Sequence, residues 1–262
     1  MPVNINAKLI KKEQLKSDIY KFVISAKEIA DIAKPGQFLE IKVSNNIDPF
    51  LRRPISIYDI DKNNSTITFI FQVKGRGTNI LSNKNIGDEI DVLGPLGTGT
   101  FELNNYKNIA IIGGGIGVFP LFELAKTASF IADVNTYLGF RSKDFVVCEN
   151  EFKNVSKKLV ITTDDGSYGE NGFAINYLAD DLAKSNIDCI YACGPLPMLK
   201  AVQKLSIKKN IPCQISLEEK MGCGIGACLG CAVKTAASTK EAPQYVHVCK
   251  MGPVFDATYV EI

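Results

Sequence analysis

The first residues that could do chemistry are four cysteines near the C-terminal end of the chain. Cys223, Cys228 and Cys231 form a C-x4-C-x2-C run, and Cys249 follows after seventeen further residues. Plant-type ferredoxins use this spacing to hold a [2Fe–2S] cluster, because two bridged irons need four soft thiolates. Glycines between the cysteines allow a tight loop that turns its N–H groups toward the sulfurs. The spacing therefore predicts that these four residues ligate a [2Fe–2S] cluster.

A structural zinc site is the alternative for the same four cysteines. Zinc sites usually present paired C-x2–4-C hairpins, whereas here one loop carries three of the cysteines and the fourth is remote. The single histidine, His247, lies two residues before Cys249. Since a Rieske cluster needs two histidines, we expect His247 to be a strand residue rather than a ligand.

The other four cysteines are scattered, and we expect them to be small buried core residues. They are Cys148, Cys189, Cys193 and Cys213. No apolar stretch has the length of a signal peptide or a membrane span. We therefore expect a cytoplasmic protein with reduced thiols, no disulfides and no membrane contact.

Composition excludes several classes of function. The net charge is +2 without a basic block, which argues against a nucleic-acid surface. One histidine excludes a polyhistidine metal site and leaves a Ser-His-Asp hydrolase a single candidate base. Only four of the 30 basic residues are arginines, namely Arg52, Arg53, Arg76 and Arg141. Because the planar guanidinium suits phosphate, these arginines are candidate phosphate ligands, although each could equally be a surface charge.

Two glycine-containing turns follow apolar strands in the middle of the chain. They are IIGGGIGVFPL (111–121) and CGPLPM (193–198). In a parallel sheet both lie at the carboxyl edge, where nucleotides bind against helix N-termini. The first turn does not match G-x-G-x-x-G, so a plain strand–helix connection stays open. The segment 162–172 belongs to the same edge, with a solvated loop as the alternative for Asp164, Asp165 and Glu170.

Short alternating strands with turn signals between them fill the first hundred residues, and from Asn108 strands alternate with helices. The first pattern indicates a small antiparallel barrel and the second a parallel α/β sheet. We predict an α+β multi-domain protein. Its parts are an N-terminal antiparallel β-barrel (1–101), a central α/β parallel-sheet nucleotide domain (102–212) and a small C-terminal iron–sulfur domain (213–262).

Jointly, six motifs resemble those of the ferredoxin–NADP reductase superfamily and, within it, the electron-transfer subunits of type B dihydroorotate dehydrogenases. They are RRPISI (52–57), KGRGT (74–78), GGGIGVFPL (113–121), DDGSYG (164–169), CGP (193–195) and EEKMGCGIGACLGC (218–231). The resemblance covers essentially the whole chain, and its last motif is the most specific. Phe119 and Met251 depart from the family pattern, where a smaller residue and an aspartate are more usual.

This resemblance implies a set of cofactor contacts. For FAD they are Arg53, Pro54, Ile55, Ser56, Ile70, Phe71, Gln72, Gly77 and Thr78, with Ser56 near the flavin N5 as a catalytic candidate. For NAD they are Gly113, Gly114, Gly115, Ile116, Gly117, Cys193, Gly194 and Pro195. Arg141 and Lys143 could reach a 2′-phosphate, so the preference for NAD over NADP rests on the resemblance alone.

The resemblance also implies a function. Electrons from the FMN of a separate dihydroorotate dehydrogenase catalytic subunit would pass through [2Fe–2S] and FAD to NAD⁺ in pyrimidine biosynthesis, with two copies of each subunit. The chain alone would oxidise NADH as a diaphorase. One alternative is the small subunit of a bifurcating ferredoxin:NADP oxidoreductase or sulfide dehydrogenase. Another is a zinc-bearing binding module.

Overall fold

A computed structural model describes residues 1–44 and 46–262, and the chain forms two compact units. The barrel unit comprises Met1–Thr100, Glu218–Ala232 and His247–Pro253. The α/β unit comprises Phe101–Leu217, Val233–Val246 and Val254–Ile262. Both units draw on the C-terminal fifty residues. The three-part division with boundaries after 101 and 212 stays a prediction.

The barrel unit contains a closed antiparallel barrel, which confirms the predicted fold of the N-terminal part. Its strands are β1 (Val3–Lys16), β2 (Ile19–Ser25), β3 (Phe38–Lys42), β4 (Arg53–Asp61), β5 (Thr66–Gln72) and β6 (Glu89–Leu96), in the order β1-β2-β5-β4-β3-β6. Helices α1 (Lys27–Ala30) and α2 (Arg76–Ser82) lie between strands. Strand β5, TITFIFQ, shows why these segments are strands, since β-branched and aromatic residues favour a pleated surface.

Apolar side chains at alternate positions of the strands fill the interior of the barrel. Leu39 and Ile41 of β3 belong to the core together with Phe22, Phe69 and other fully buried side chains. Successive residues of a strand point to opposite faces, so Glu40 between them points away from that core. Glu40 is nevertheless only 1 % exposed. Another part of the unit must therefore cover it.

The α/β unit contains a seven-stranded sheet in the order β10-β9-β8-β7-β11-β12-β15. Its strands are β7 (Asn108–Gly114), β8 (Asp133–Phe140), β9 (Lys158–Thr163), β10 (Glu170–Asn171), β11 (Cys189–Cys193), β12 (Cys213–Ser216) and β15 (Val254–Asp256). The strands pair in parallel except β15, which pairs antiparallel with β12. The predicted parallel α/β part is confirmed.

Helices follow the strands as the alternating pattern predicted. They are α3 (Phe122–Ala128), α4 (Glu149–Val155), α5 (Ala174–Asp181) and α6 (Leu196–Lys209), with 3₁₀ helices at Gly115–Leu121 and Lys143–Phe145. Asn210 ends α6 in the left-handed conformation, after Lys208 and Lys209 in its last turn. Strands β13 (Ala232–Lys234) and β14 (Tyr245–His247) form a separate two-stranded sheet, and His247 is a strand residue as predicted. Among the described helices, none has the length and apolar character needed to cross a membrane.

Candidate functional site

The cysteine loop of the barrel unit directs backbone N–H groups at sulfur atoms. Cys223 Sγ accepts from the N–H groups of Ala227 at 3.2 Å and Cys228 at 3.3 Å. Cys249 Sγ accepts from the N–H of Gly226 at 3.1 Å, and Cys231 Sγ accepts from the N–H of Cys249 at 3.4 Å. Such donors stabilise negative charge on sulfur, so the loop is built to hold thiolates.

The four thiols form two pairs. Cys223 hydrogen-bonds with Cys228, and Cys249 hydrogen-bonds with Cys231. Burial raises the pKa of Cys223, but N–H donors outweigh burial and lower that pKa to about 6. Burial and the neighbouring Cys231 raise the pKa of Cys249 to about 12. Two thiol pairs match two irons that each take two thiolates.

Zinc would need its four sulfurs around one point, about 2.3 Å from the metal. The thiol–thiol hydrogen bonds instead group the four sulfurs in two pairs. The thiol pairs and their N–H donors therefore fit [2Fe–2S], and Cys223, Cys228, Cys231 and Cys249 would hold it.

Loop conformation depends on glycine at two positions. Gly224 has φ +69° and Gly226 φ +84°, in the left-handed region that glycine adopts without strain. A Cβ at Gly226 would lie 2.7 Å from Cδ of Lys250. The N–H and the hydroxyl of Thr98 both donate to the carbonyl of Lys250 at 2.9 Å, which ties this loop to the end of the barrel sheet.

Several side chains in and beside the cysteine loop are exposed and apolar. Cys231 and Cys249 are buried, whereas Cys228 is exposed. Ile225, Leu229 and Met251 are 51 %, 59 % and 39 % exposed. We call Ile225, Cys228, Leu229 and Met251 the cluster face. Met251, which departs from the family pattern, therefore contributes an apolar side chain to this face.

Glu40 is covered by the same loop. A Cβ at Gly224 would lie 2.5 Å from Cγ and 2.6 Å from Oε1 of Glu40. Neither carboxyl oxygen of Glu40 has a hydrogen-bond partner among the described residues. Burial raises the pKa of Glu40 to about 7; Cys223 adds to the rise, while Arg52 and Arg53 oppose it. Sequence reasoning missed this residue.

The predicted FAD phosphate contacts lie together at the start of α2. The Arg53 guanidinium packs over Gly77, where an added Cβ would lie 2.3 Å from Arg53 Nε. Thr78 Oγ1 accepts from the N–H groups of Lys74 at 3.0 Å and Gly75 at 3.2 Å. A fork-shaped cation over the first turn of a helix is a cradle for a pyrophosphate, so the residues fit FAD.

The remaining predicted FAD residues lie on neighbouring strands. Pro54 is exposed and Ser56 half-buried on β4, while Ile55, Ile70 and Phe71 are buried. Gln72 at the end of β5 donates to Asp18 at 2.6 Å. Ile55 and Phe71 belong to the barrel core. Their contact with a flavin stays a prediction.

Two of the four arginines form ion pairs with carboxylates of the protein. Arg52 bonds to Asp91 Oδ1 at 2.8 Å and to the carbonyl of Glu40 at 3.2 Å. Arg76 pairs with Asp48. Arg53 and Arg141 therefore remain the better phosphate candidates of the four.

The two predicted nucleotide turns meet at the carboxyl edge of the sheet. Gly113 pairs with Cys193 where β7 and β11 end. A Cβ at Gly117 would lie 2.5 Å from Cα of Gly194, and one at Gly114 would lie 2.9 Å from Cδ of Pro195. The close approach of these backbones explains why both turns contain glycine. Gly115 has φ +55° and Ile116 is half-buried.

A cavity of about 490 Å³ opens beside these turns. Of the predicted NAD residues, Gly114, Gly115 and Pro195 line it. The other five do not, namely Gly113, Ile116, Gly117, Cys193 and Gly194. Further lining residues, most of which sequence reasoning missed, are Gly139, Phe140, Arg141, Asp164, Phe173, Ala174, Ile175, Pro197, Met198 and Ala201. The cavity is mainly apolar with one cation and one carboxylate, as suits a nucleotide.

The unusual Phe119 lies within the first of these turns and is a packing residue. It is 4 % exposed, within the 3₁₀ helix that follows β7. Cys148, Cys189, Cys193 and Cys213 are all buried, as predicted.

Comparison with known proteins agrees with the iron–sulfur and FAD regions described above. The family described as "Oxidoreductase FAD-binding domain" matches residues 6–101. The "Iron-sulfur cluster binding domain of dihydroorotate dehydrogenase B" matches residues 218–261. The dihydroorotate dehydrogenase B (NAD(+)) electron transfer subunit of Lysinibacillus sphaericus (strain C3-41) is 40 % identical over 253 residues, 95 % of each chain. The chain belongs to the family of dihydroorotate dehydrogenase B electron transfer subunits.

Another member of this electron transfer subunit family, from Fusobacterium nucleatum, is 41 % identical over 255 residues, 95 % of each chain. Among solved structures, an NADH-dependent reduced ferredoxin-NADP oxidoreductase matches with TM-score 0.85 and 31 % identity, over 98 % of this chain and 90 % of that one. The cytochrome P450 reductase GcoB of Amycolatopsis (TM-score 0.67, 19 % identity, 80 % and 67 % covered) shares the fold.

These relatives confirm four predictions: the family resemblance, the fold class, an oxidoreductase subunit, and cofactor domains for FAD and iron–sulfur. Their name also implies a catalytic partner for the electron transfer subunit, but does not identify it.

Proposed function

We propose that the chain passes electrons from the FMN of a dihydroorotate dehydrogenase catalytic subunit, through a [2Fe–2S] cluster and FAD, to NAD⁺. The observation that carries this proposal is the paired thiol arrangement of Cys223 with Cys228 and Cys231 with Cys249, on a barrel of the FAD-binding family. When bound, the cluster would carry single electrons, and the flavin would combine two of them with a proton and deliver a hydride.

The chain's own residues bind and orient these groups. Arg53, Gly77 and Thr78 are proposed to hold the FAD pyrophosphate at the start of α2. Pro54, Ile55, Ser56, Ile70, Phe71 and Gln72 are proposed to lie along the flavin, and Ser56 is proposed to hold a proton near N5. In the α/β unit, the nucleotide turns and the apolar cavity are proposed to bind NAD⁺ and exclude water from it.

The cluster face is proposed to receive the catalytic subunit. Exposed apolar side chains grouped around a ligand cysteine are typical of a protein–protein interface, and electron entry needs a short path to the cluster. We propose two copies of each subunit in the complex. We also propose a reducing compartment, the cytoplasm, because no disulfide joins any of the eight cysteines in the described part of the chain.

Anaerobic purification with and without the FMN-containing catalytic subunit tests the proposal. We expect the chain alone to contain FAD and two irons per chain, to oxidise NADH with an artificial acceptor, and to be unable to oxidise dihydroorotate. The complex is expected to reduce NAD⁺ with dihydroorotate. Light scattering of the complex checks the stoichiometry.

The alternatives have distinct results. Bound zinc and a colourless protein would favour a zinc-bearing module and contradict the proposal. Reduction of ferredoxin by the complex, without dihydroorotate oxidation, would favour a bifurcating oxidoreductase. Ferredoxin reduction is measured because the chain is 31 % identical to the ferredoxin-NADP oxidoreductase structure.

A further inference from the structure

Glu40 is the one carboxyl group in the described part of the chain with both oxygens buried and without a hydrogen-bond partner. Burial of an ionised carboxyl group without a partner costs several kcal/mol of folding free energy, unless the group takes up a proton. Such groups are therefore rare unless they serve a function. Nothing in the barrel requires an acid here, because Glu40 points away from the core that Leu39 and Ile41 fill. An apolar residue at position 40 would cover the same surface at lower cost.

The side chain of Glu40 is buried by the cysteine loop itself. Its Cγ, Cδ and Oε1 would all lie within 3 Å of a Cβ at Gly224, the residue that follows Cys223. Gly224 thus allows the loop backbone to approach the carboxyl group. The loop that is proposed to wrap the cluster therefore rests directly on Glu40.

Neighbouring cations do not neutralise this carboxyl group by direct contact. Arg52 bonds to Asp91 and to backbone carbonyls, including that of Glu40. The Arg53 guanidinium donates to the carbonyls of Leu51 and Arg52. Besides these two cations, Cys223 is the charged neighbour that acts on Glu40.

We propose that Glu40 is a positioning residue for electron transfer, whose carboxylate lowers the reduction potential of the cluster held by the adjoining loop. A negative charge fixed beside the cluster opposes the arrival of an electron, and burial under the loop removes the water that would screen it. A lower potential favours onward transfer of the electron. This inference rests on the proposed function, since it requires a bound cluster.

The test is an anaerobic redox titration of the full chain at pH 9, followed by the EPR signal of the reduced cluster. Glu40→Gln keeps the shape of the side chain and removes its charge. At a fixed potential, we expect about a tenfold higher ratio of reduced to oxidised cluster, which is about 59 mV for a one-electron couple. Glu89→Gln, which removes an exposed carboxylate from β6, is the matched control and is expected to leave the potential unchanged.

Each other outcome is decisive. An unchanged potential in Glu40→Gln, or an equal shift in Glu89→Gln, would overturn the role of Glu40. If Glu40→Gln loses its iron, the titration is repeated with Glu40→Ala. The same upward shift of the cluster's reduction potential is expected in that variant. A wild-type chain without an EPR-active cluster would instead contradict the proposed function, so the two failures are distinguishable.

Discussion

Gly77 shows how a single missing methyl group can shape a binding site. Its Cα lies against the Arg53 guanidinium, and a Cβ would come within 2.6 Å of Arg53 Nε, Cζ and Nη2. The cation occupies a volume that any other residue at position 77 would fill. Arg53 and Gly77 therefore act as one unit, although 23 residues separate them in the sequence.

Gly77→Ala is expected to weaken FAD binding by about tenfold to a hundredfold. The added methyl group displaces the guanidinium, and a hydrogen bond to a charged group contributes about 1.5–3 kcal/mol. Fluorescence titration of the FAD-depleted chain measures the dissociation constant. A double-mutant cycle with Arg53→Ala tests the cause: Gly77→Ala should cost little more once Arg53 is gone. Additive losses would contradict this account.

At the scale of elements, the nucleotide turns depend on two backbones in contact. Gly117→Ala would place its Cβ 2.5 Å from Cα and 2.7 Å from N of Gly194, and a backbone cannot move aside as a flexible side chain can. We expect a loss of about 2–4 kcal/mol in unfolding free energy and weaker NADH binding. Chemical denaturation and NADH titration are the measurements.

Gly115→Ala is the control for Gly117→Ala. Its Cβ would meet no atom within 4 Å, so only the cost of φ +55° applies, about 1–2 kcal/mol. If Gly115→Ala destabilised the chain more than Gly117→Ala, contact between the turns would not be the reason for the glycine at 117.

A second element-scale feature ties α5 to the sheet. The buried Tyr137 of β8 donates its hydroxyl to Asp181 Oδ2 at 2.5 Å, and Lys158 of β9 pairs with the same carboxylate. Burial raises the pKa of Asp181, but Lys158 and Tyr137 outweigh burial and hold this pKa below its ordinary value. The folded state therefore binds the ionised form more strongly than the unfolded state does.

Asp181→Ala is expected to lower the unfolding free energy by about 1–3 kcal/mol at pH 7, because the Tyr137 hydroxyl stays buried without its acceptor. Since the folded pKa is depressed, the contribution of Asp181 is present above its unfolded pKa of about 4 and is lost as pH falls through the folded pKa. Urea denaturation across pH 2–7 should show the difference between the two proteins shrinking in acid, to the part that the Tyr137 hydrogen bond alone contributes. In a Tyr137→Phe background the substitution should cost less, and an equal cost would rule out the hydroxyl contact.

Elements with local signals could be predicted from the sequence. The cysteine spacing, the glycine turns and the change from alternating strands to strand–helix repeats all lie within short windows. Helix α2 has no such signal, because its seven residues begin with Arg-Gly-Thr and carry no helical period. The antiparallel addition of β15 to β12, and the cover that the cysteine loop provides for Glu40, are long-range contacts. No local pattern encodes them.

At the scale of the whole molecule, the chain must exchange electrons with another protein. The cluster face offers Ile225, Leu229 and Met251 to solvent beside the exposed Cys228. A few apolar side chains buried at the centre of an interface contribute most of its binding free energy. A charged side chain at the same place weakens binding, because it loses its hydration and gains no partner.

Leu229→Glu is therefore expected to weaken association with the catalytic subunit by at least about a hundredfold, which corresponds to about 2.7 kcal/mol. Iron content, FAD content and NADH oxidation by the chain alone should be retained, because Leu229 ligates nothing and is 59 % exposed. Ile207→Glu, a similar exposed apolar position on α6, is the matched control and should leave the complex intact. Surface-immobilised catalytic subunit under anaerobic conditions measures both affinities. An unweakened Leu229→Glu complex would mean that electrons enter through a different surface, and equal losses in both variants would mean that the added charge acts without regard to position.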